Sequence, residues 1–399
     1  EWAEQWQTVG VTGTNGKTST AAMLASMVAA SGQQVFCVTT LGFFHNQVPT
    51  PPSTTWDGFL GAAQRAHTQG CRRGVVELTS MALSRGHAQR FRFDIGVFTN
   101  LSRDHLNLHG SPEAYLAAKA QLFVFLGPGA TAVLNARDPA AAALEQAIPG
   151  DVERLWYGVP ARGAAHHSEA LSAVSVDVTP EGTSVKLAPS RLARSFEGEL
   201  WVPMVGRVYA ENALAAAGAG LAMGLTPEAI VDGLAKVPPV KGRFEIVAHQ
   251  PIVAIDYAHS ADALELACHC ARQLAREQGG EVWVVFGAGG NTDETKREPM
   301  GQAVGRGADH AVVTSDNPRN EDPAAITKIL AAACRAAGCP DVTTQLDRRQ
   351  AIAHALGAAQ PQDVVLIAGK GHETGQVVSG QTHAFSDHEE VGAWLQRHT

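Results

Sequence analysis

The 399 residues, 45% hydrophobic and 18% charged, are enough for two or three domains of roughly 100–200 residues, each with its own core. The 40 glycines and 20 prolines are scattered without a repeat, which excludes collagen-like or low-complexity architecture, and no run approaches the ~18 apolar residues of a membrane span. A net charge of −8 with no polybasic stretch argues against nucleic-acid or membrane partners held by a broad basic face.

Glu1-Trp2-Ala3-Glu4 offers neither a basic n-region nor an apolar h-region, so no signal peptide is expected. A strand is expected over Thr8–Thr12, then a glycine loop and a helix over Ala21–Ala30. Further strands are expected at Gln34–Thr40, Gly74–Leu78 and Asp94–Thr99, with helices between them, which is the pattern of a parallel sheet covered on both faces. From Gly163 to Gly198 the pattern shortens to Ala173–Val178 and Ser184–Leu187, a small antiparallel insertion, followed by helices at Ala210–Met223 and Pro227–Ala235. The helical pattern stops at Pro238-Pro239-Val240-Lys241-Gly242, so domains of residues 1–243 and 244–399 are expected. The second repeats the β/α alternation, with strands at Arg243–Ala248, Pro251–Ile255, Glu281–Phe286, His310–Thr314 and Asp363–Ile367. The fold class is α/β: a P-loop-type central domain with a mostly parallel sheet, then a Rossmann-like C-terminal domain. The six cysteines include no C-x-x-C pair, and Cys268-His269-Cys270 in its helical stretch reads as buried thiols rather than a metal site. The chain therefore reads as a reduced, cytoplasmic monomer.

Gly13-Thr14-Asn15-Gly16-Lys17-Thr18-Ser19, between strand and helix, has the chemistry of a phosphate cradle. Glycines let backbone N–H groups approach the anion, the helix N-terminus adds positive potential, and Lys17 reaches the outer phosphates. Thr18 or Ser19 can place a hydroxyl on Mg²⁺. The strict G-x-x-x-x-G-K-[ST] pattern is not met, because Val11 stands five positions before Gly16. Val11-Thr12-Gly13-Thr14-Asn15-Gly16-Lys17-Thr18 resembles the nucleotide loop of the Mur ligases and their folylpolyglutamate and cyanophycin synthetase relatives. Those enzymes join an amino acid to a carboxylate at the expense of ATP.

Glu77 closes a strand at its C-terminal edge and is a natural ligand for a hard, oxygen-seeking Mg²⁺. In Asn100-Leu101-Ser102-Arg103-Asp104-His105, chemistry alone favours a structural role for His105, whereas the resemblance implies that it binds a second metal. Lys119, in Ala114–Phe123, reads either as a snorkelling lysine or, by the resemblance, as a carbamylated lysine that supports Mg²⁺. Burial favours the neutral amine that carbamylation needs. The resemblance further places Asn212 near the adenine, although the usual Phe-Asn is Val208-Tyr209 here. It places Arg243 of Gly242-Arg243-Phe244-Glu245 near the nucleotide, and Asp256 with His259 at the ribose or phosphates after domain closure.

Phe286–Asp293 and then Lys296-Arg297 resemble the family glycine loop and its Lys-Arg pair. In Ser315-Asp316-Asn317-Pro318-Arg319, an arginine fork for a carboxylate and an aspartate for an ammonium together read a zwitterionic amino acid. A helix cap at Asp322-Pro323 explains only the tail of that segment. Asp316-Asn317-Pro318-Arg319 resembles the signature of the MurE branch, which adds meso-diaminopimelate rather than lysine. Ala368-Gly369-Lys370-Gly371-His372-Glu373 matches the same branch, with Glu373 facing the far amine, while Gly375 stands where that branch usually has tyrosine. Gly369, Glu373, Arg297, Asp316, Asn317 and Arg319 are thus the expected amino-acid contacts, and Thr79 and Ser80 the acceptor contacts.

Two departures stand out. Thr79-Ser80-Met81 replaces the family Ser-Ser-His, and the family's N-terminal UDP-binding domain has no counterpart before Thr8. A trimmed chain or a paralogue acting without a UDP handle, in a specialised or polymer pathway, would explain both, and the first departure favours the paralogue. The resemblance implies a ligase using ATP and Mg²⁺ that joins an amino acid to a carboxylate acceptor through an acyl phosphate. A P-loop NTPase or a degenerate nucleotide-binding protein is the rival class. The NTPase would need a Walker-B aspartate and a water-activating residue, which nothing in the sequence assigns.

Overall fold

The computed structural model describes residues 3–102, 104, 106–160 and 165–398. His105 lies outside them. The chain divides into two compact units, the first built mainly from residues up to Val240 and the second from Lys241–Thr399.

The first unit carries an 11-stranded sheet. Its strands are β1 (Gln7–Thr12), β2 (Val35–Thr39), β3 (Gly42–His45), β4 (Val48–Thr50), β5 (Arg73–Glu77), β6 (Ile95–Phe98), β7 (Thr131–Asn135), β8 (Glu153–Gly158), β9 (Leu171–Thr179), β10 (Gly182–Leu187) and β11 (Glu199–Val202). They lie in the order β11-β10-β9-β8-β7-β6-β1-β5-β2-β3-β4. β1 pairs in parallel with both β5 and β6, so the sheet reverses its winding there and opens a crevice beyond the strands' C-terminal ends. The middle strands are buried on both faces (Val9, Val75, Ile95, Val97 and Val133 on one, Val76, Phe98, Ala132 and Leu134 on the other) and read as apolar runs rather than alternations. The expected antiparallel insertion is an extension of this sheet: β9 pairs in parallel with β8 at Tyr157–Leu171 and Gly158–Ser172. Helices Lys17–Ala30 and Val208–Ala222 pack against each other, and the second is so rich in alanine and glycine that its backbone can lie close to the sheet.

The second unit has a six-stranded sheet of β12 (Glu245–His249), β13 (Ile252–Asp256), β14 (Val282–Phe286), β15 (His310–Val313), β16 (Asp341–Thr344) and β17 (Val364–Ala368). Its order is β12-β13-β17-β14-β15-β16, parallel except for β12 on β13. A separate hairpin, β18 (Gly375–Val378) with β19 (Gln381–Ala384), follows the end of β17. All six cysteines are free and buried, and burial pushes the Cys268 thiol up to about 12. Among the described residues, no helix is long and apolar enough to cross a membrane.

Candidate active site

The loop after β1 is assembled by its neighbours. Gly13 and Gly16 sit at φ 150° and 85°, and a Cβ at either would strike Thr99 Oγ1 or the Asn212 side chain. Only glycine satisfies both limits at Gly16. Asn100 Oδ1 accepts from the Asn15 N–H at 2.9 Å, Asn15 O accepts from Thr99 Oγ1 at 2.6 Å, and the Thr14 N–H donates to Asn100 O at 2.8 Å. The 99–102 segment is itself anchored, since the Leu101 N–H donates to Asp138 Oδ2 at 2.9 Å. Gly16 caps helix Lys17–Ala30 without a side-chain bond, so the first N–H groups of this helix are not capped by that residue. Those groups and the helix dipole make an anion site.

Lys17 Nζ donates to Thr14 O at 2.6 Å. Thr18 Oγ1 donates to Glu77 Oε2 at 2.9 Å, and the Thr40 N–H reaches the same oxygen at 3.1 Å. Glu77 is 8% exposed, and among the described residues it is in no ion pair shorter than 4.0 Å. A buried carboxylate with hydroxyl and amide donors but no cation suits a hard metal ion. No group of three or more His, Cys, Asp or Glu poised for a metal occurs among the described residues. Lys119 is 1% exposed on helix Pro112–Val124, donates to Gly13 O at 2.6 Å and lies 4.3 Å over the Tyr115 ring. The Tyr115 hydroxyl is 3.2 Å from Thr14 Oγ1. Lys119 therefore belongs to the loop's support and is not a snorkelling surface lysine.

Thr79 Oγ1 accepts from the Ala82 N–H as a helix cap, while Ser80 Oγ is 2.9 Å from His109 Nε2. Burial, then Lys119, pushes the His109 imidazole down. Met81 is exposed.

In the second unit the loops beyond β13, β14, β15 and β17 carry the expected residues. Asp256 accepts from the N–H groups of Phe244 at 2.7 Å and Ala258 at 2.8 Å. Burial raises its pKa against the opposing pull of Arg243, whose guanidinium stacks 4.6 Å over Tyr257. His259 Nδ1 donates to Tyr257 O at 2.7 Å, and burial with Lys296 lowers its pKa, leaving a neutral ring with Nε2 as acceptor.

Arg319, at φ 53°, donates from Nη1 to Gly290 O at 2.6 Å, and its backbone forms a parallel bridge with Val378 of β18. Asp316 and Asn317 are buried, and Gln376 Nε2 donates to Asp316 O at 2.7 Å. Asn317 Nδ2 donates to Glu373 Oε2 at 2.9 Å. Gly369 sits at φ 116°, its N–H donates to Asp256 O at 3.0 Å, and a Cβ there would lie 3.6 Å from Asp316 Oδ2. Arg297 is 3% exposed, and its Nη2 is 2.8 and 2.9 Å from Glu321, a bond that braces the loop.

Sequence reasoning passed over Lys370, which is fully buried between Asp316, Asn317 and Glu373. It also passed over the buried Arg348–Asp387 pair behind it. The only available signal for Lys370 was its place inside the Gly369–Glu373 motif.

Residues 11–220 match the Mur ligase middle domain and residues 242–371 the Mur ligase, glutamate ligase domain. The chain is 37% identical over 391 residues to a UDP-N-acetylmuramoyl-L-alanyl-D-glutamate–2,6-diaminopimelate ligase of Ralstonia nicotianae, spanning 96% of this chain and 74% of that one. With the ligase of the same name from Geobacillus thermodenitrificans it shares 38% over 391 residues, 95% and 76% of the two chains. A solved ligase of that name superposes with a TM-score of 0.67 at 32% identity, over 99% of this chain and 79% of its own. Folylpolyglutamate synthase of Mycobacterium tuberculosis, solved with ADP and AMPPCP, gives a TM-score of 0.71 at 20% identity over 92% and 89%, a likeness of fold alone.

Proposed function

The chain belongs to the Mur ligase family of ATP-dependent, amide-forming enzymes, and from that premise we propose that it joins a diaminopimelate-like amino acid to a carboxylate acceptor. The observation that carries the substrate is a fork for carboxylate, Arg319 on Gly290 O, beside acceptors for ammonium, Asp316 and Glu373, which share one buried lysine.

The ATP phosphates would lie on the N–H groups of Gly13–Ser19, with Lys17 swinging from Thr14 O to the outer phosphate. Glu77 and Thr18 would hold Mg²⁺, with His105 at a second ion. Bound there, Mg²⁺ supplies charge neutralisation on the phosphates. Asn212, Arg243, Asp256 and His259 would contact the rest of the nucleotide. Lys119, as a neutral amine, would add to CO₂ and lose a proton, giving a carbamate beside Gly13.

Thr79 and Ser80 would orient the acceptor, whose carboxylate attacks the γ-phosphorus and releases ADP. The amino group of the incoming amino acid then attacks the acyl phosphate and expels phosphate. Positioning and electrostatics carry both steps. A carboxylate without a UDP handle remains our preferred acceptor, supported by Met81 in place of histidine, and a cytoplasmic setting suits such substrates. A phosphate-release screen of amino acids against carboxylates, including muramoyl peptides with and without UDP, tests the whole reading. Release with no dependence on the amino acid would overturn it in favour of an NTPase.

A further inference from the structure

Lys370 Nζ lies 3.1 Å from Asn317 Oδ1, 3.1 Å from Glu373 Oε2 and 3.5 Å from Asp316 Oδ1. A lysine ammonium has three donors and no acceptor, so each of these oxygens can be met by one N–H. The Val377 N–H also reaches Asn317 Oδ1, at 3.0 Å. Two donors on one atom decide the amide's orientation: its oxygen faces Lys370, and Nδ2 is left to donate to Glu373. Glu373 Oε2 thus accepts twice, and its other oxygen is left to a ligand.

The support continues behind the lysine. Arg348 and Asp387, both fully buried, are joined at 2.7 and 2.8 Å, and Arg348 Nη2 donates to Ala368 O at 3.0 Å, fixing the strand end from which Lys370 departs. Asp316 and Glu373 both bond the one ammonium of Lys370, so the lysine ties two carboxylates together. Buried ion pairs add little net stability, which leaves the geometry they impose as the reason to keep this one.

We propose that Lys370 is the specificity-determining positioning residue of the amino-acid pocket. By occupying one oxygen each of Asp316, Asn317 and Glu373, it holds them in a single register and leaves the second oxygen of Glu373 for a substrate ammonium. This rests on assigning the Asp316–Arg319 loop and Glu373 to the amino-acid substrate.

Steady-state kinetics of the full chain test it, using whichever amino acid the wild type accepts. Lys370→Met should raise KM for the amino acid at least about tenfold, the scale of one lost charged hydrogen bond. It should leave kcat and KM for ATP within about twofold. In a Glu373→Gln background the same change should add less than about threefold, because the two act through one contact. Should Lys370→Met fail to fold, Asn317→Leu, which removes the fixed amide that bonds Lys370, carries the same KM-selective expectation. A fall in kcat with both KM values unchanged, or full additivity with Glu373→Gln, overturns the proposal. The parent reading fails differently: Arg319→Lys and Asp316→Asn would then leave the amino-acid KM unchanged. If those two variants lose affinity while Lys370→Met does not, the positioning role alone is wrong.

Discussion

The phosphate loop and the amino-acid loop are built in opposite ways. Around Gly13–Ser19 the contacts run largely through the backbone: Thr14 N–H to Asn100 O, Asn15 O to Thr99, and Lys119 to Gly13 O. Around Asp316–Arg319 they run through charged and amide side chains gathered on Lys370. A backbone cradle reads any phosphate, since every residue supplies the same N–H. A side-chain cluster reads charge number and spacing, and one substitution rewrites it. The first arrangement suits a co-substrate shared across a family, the second a substrate that distinguishes its members.

Substitutions in the two loops should therefore fail differently. The largest effect is expected at Lys119. Lys119→Ala should abolish turnover, and short carboxylates added to the assay should restore part of it by standing in the carbamate's place. Undiminished activity would remove Lys119 from the phosphate side of the comparison. Lys17→Ala should lower kcat on the order of 10²–10³-fold, as when one donor to a developing charge is removed, while the melting temperature stays unchanged. Arg319→Lys keeps the charge but loses the planar fork, so kcat/KM for meso-diaminopimelate should fall roughly ten- to hundredfold, with a much smaller change for lysine. If wild-type enzyme ignores diaminopimelate and accepts a monocarboxylic amino acid, the loop is a remnant and the side-chain half of the contrast collapses.

The smallest effect lies outside both loops. His310 stacks on Trp283 at 3.8 Å and bonds Glu281 and Asp341 at 2.8 and 3.0 Å. Burial alone would lower its pKa, but the two carboxylates win and raise it. A raised folded-state pKa means that the contribution is fully present below the ordinary histidine value, about 6.5, and fades as pH rises through the folded value. The melting temperature should therefore lose a small increment over that window. His310→Gln should flatten the profile, and an unchanged slope would refute the assignment.

Much of the phosphate loop was legible because glycine spacing, a preceding apolar strand and a following helix all point one way. Its support was not. Thr99 closed an expected strand and Asn100 opened the segment leading to His105, with no role in the loop assigned to either, and only the parallel pairing of β1 with β6 brings them to Asn15. β7 and β8 went unmarked, since apolar runs such as Thr131–Asn135 carry no alternation to distinguish strand from buried helix. The β18–β19 hairpin left still less trace: β19 is exposed throughout and has no apolar face to periodise. It stands by tertiary bonds to Asn317 and Arg319. Lys370 was invisible for a related reason, because a lysine in a glycine-rich motif is by default a surface residue.

That hairpin offers a readout that needs no substrate at all. The Arg319 N–H donates to Val377 O at 3.0 Å, and the Ser379 N–H donates to Arg319 O at 2.5 Å. Two rungs thus zip the recognition loop to a solvent-facing ribbon. In amide hydrogen exchange, Arg319 and Ser379 should be protected together, whereas outward amides of β19 exchange freely. Their joint deuteration rate would then serve as a clock for how often the pocket comes undone, and a graft of another ribbon after Glu373 should reset it.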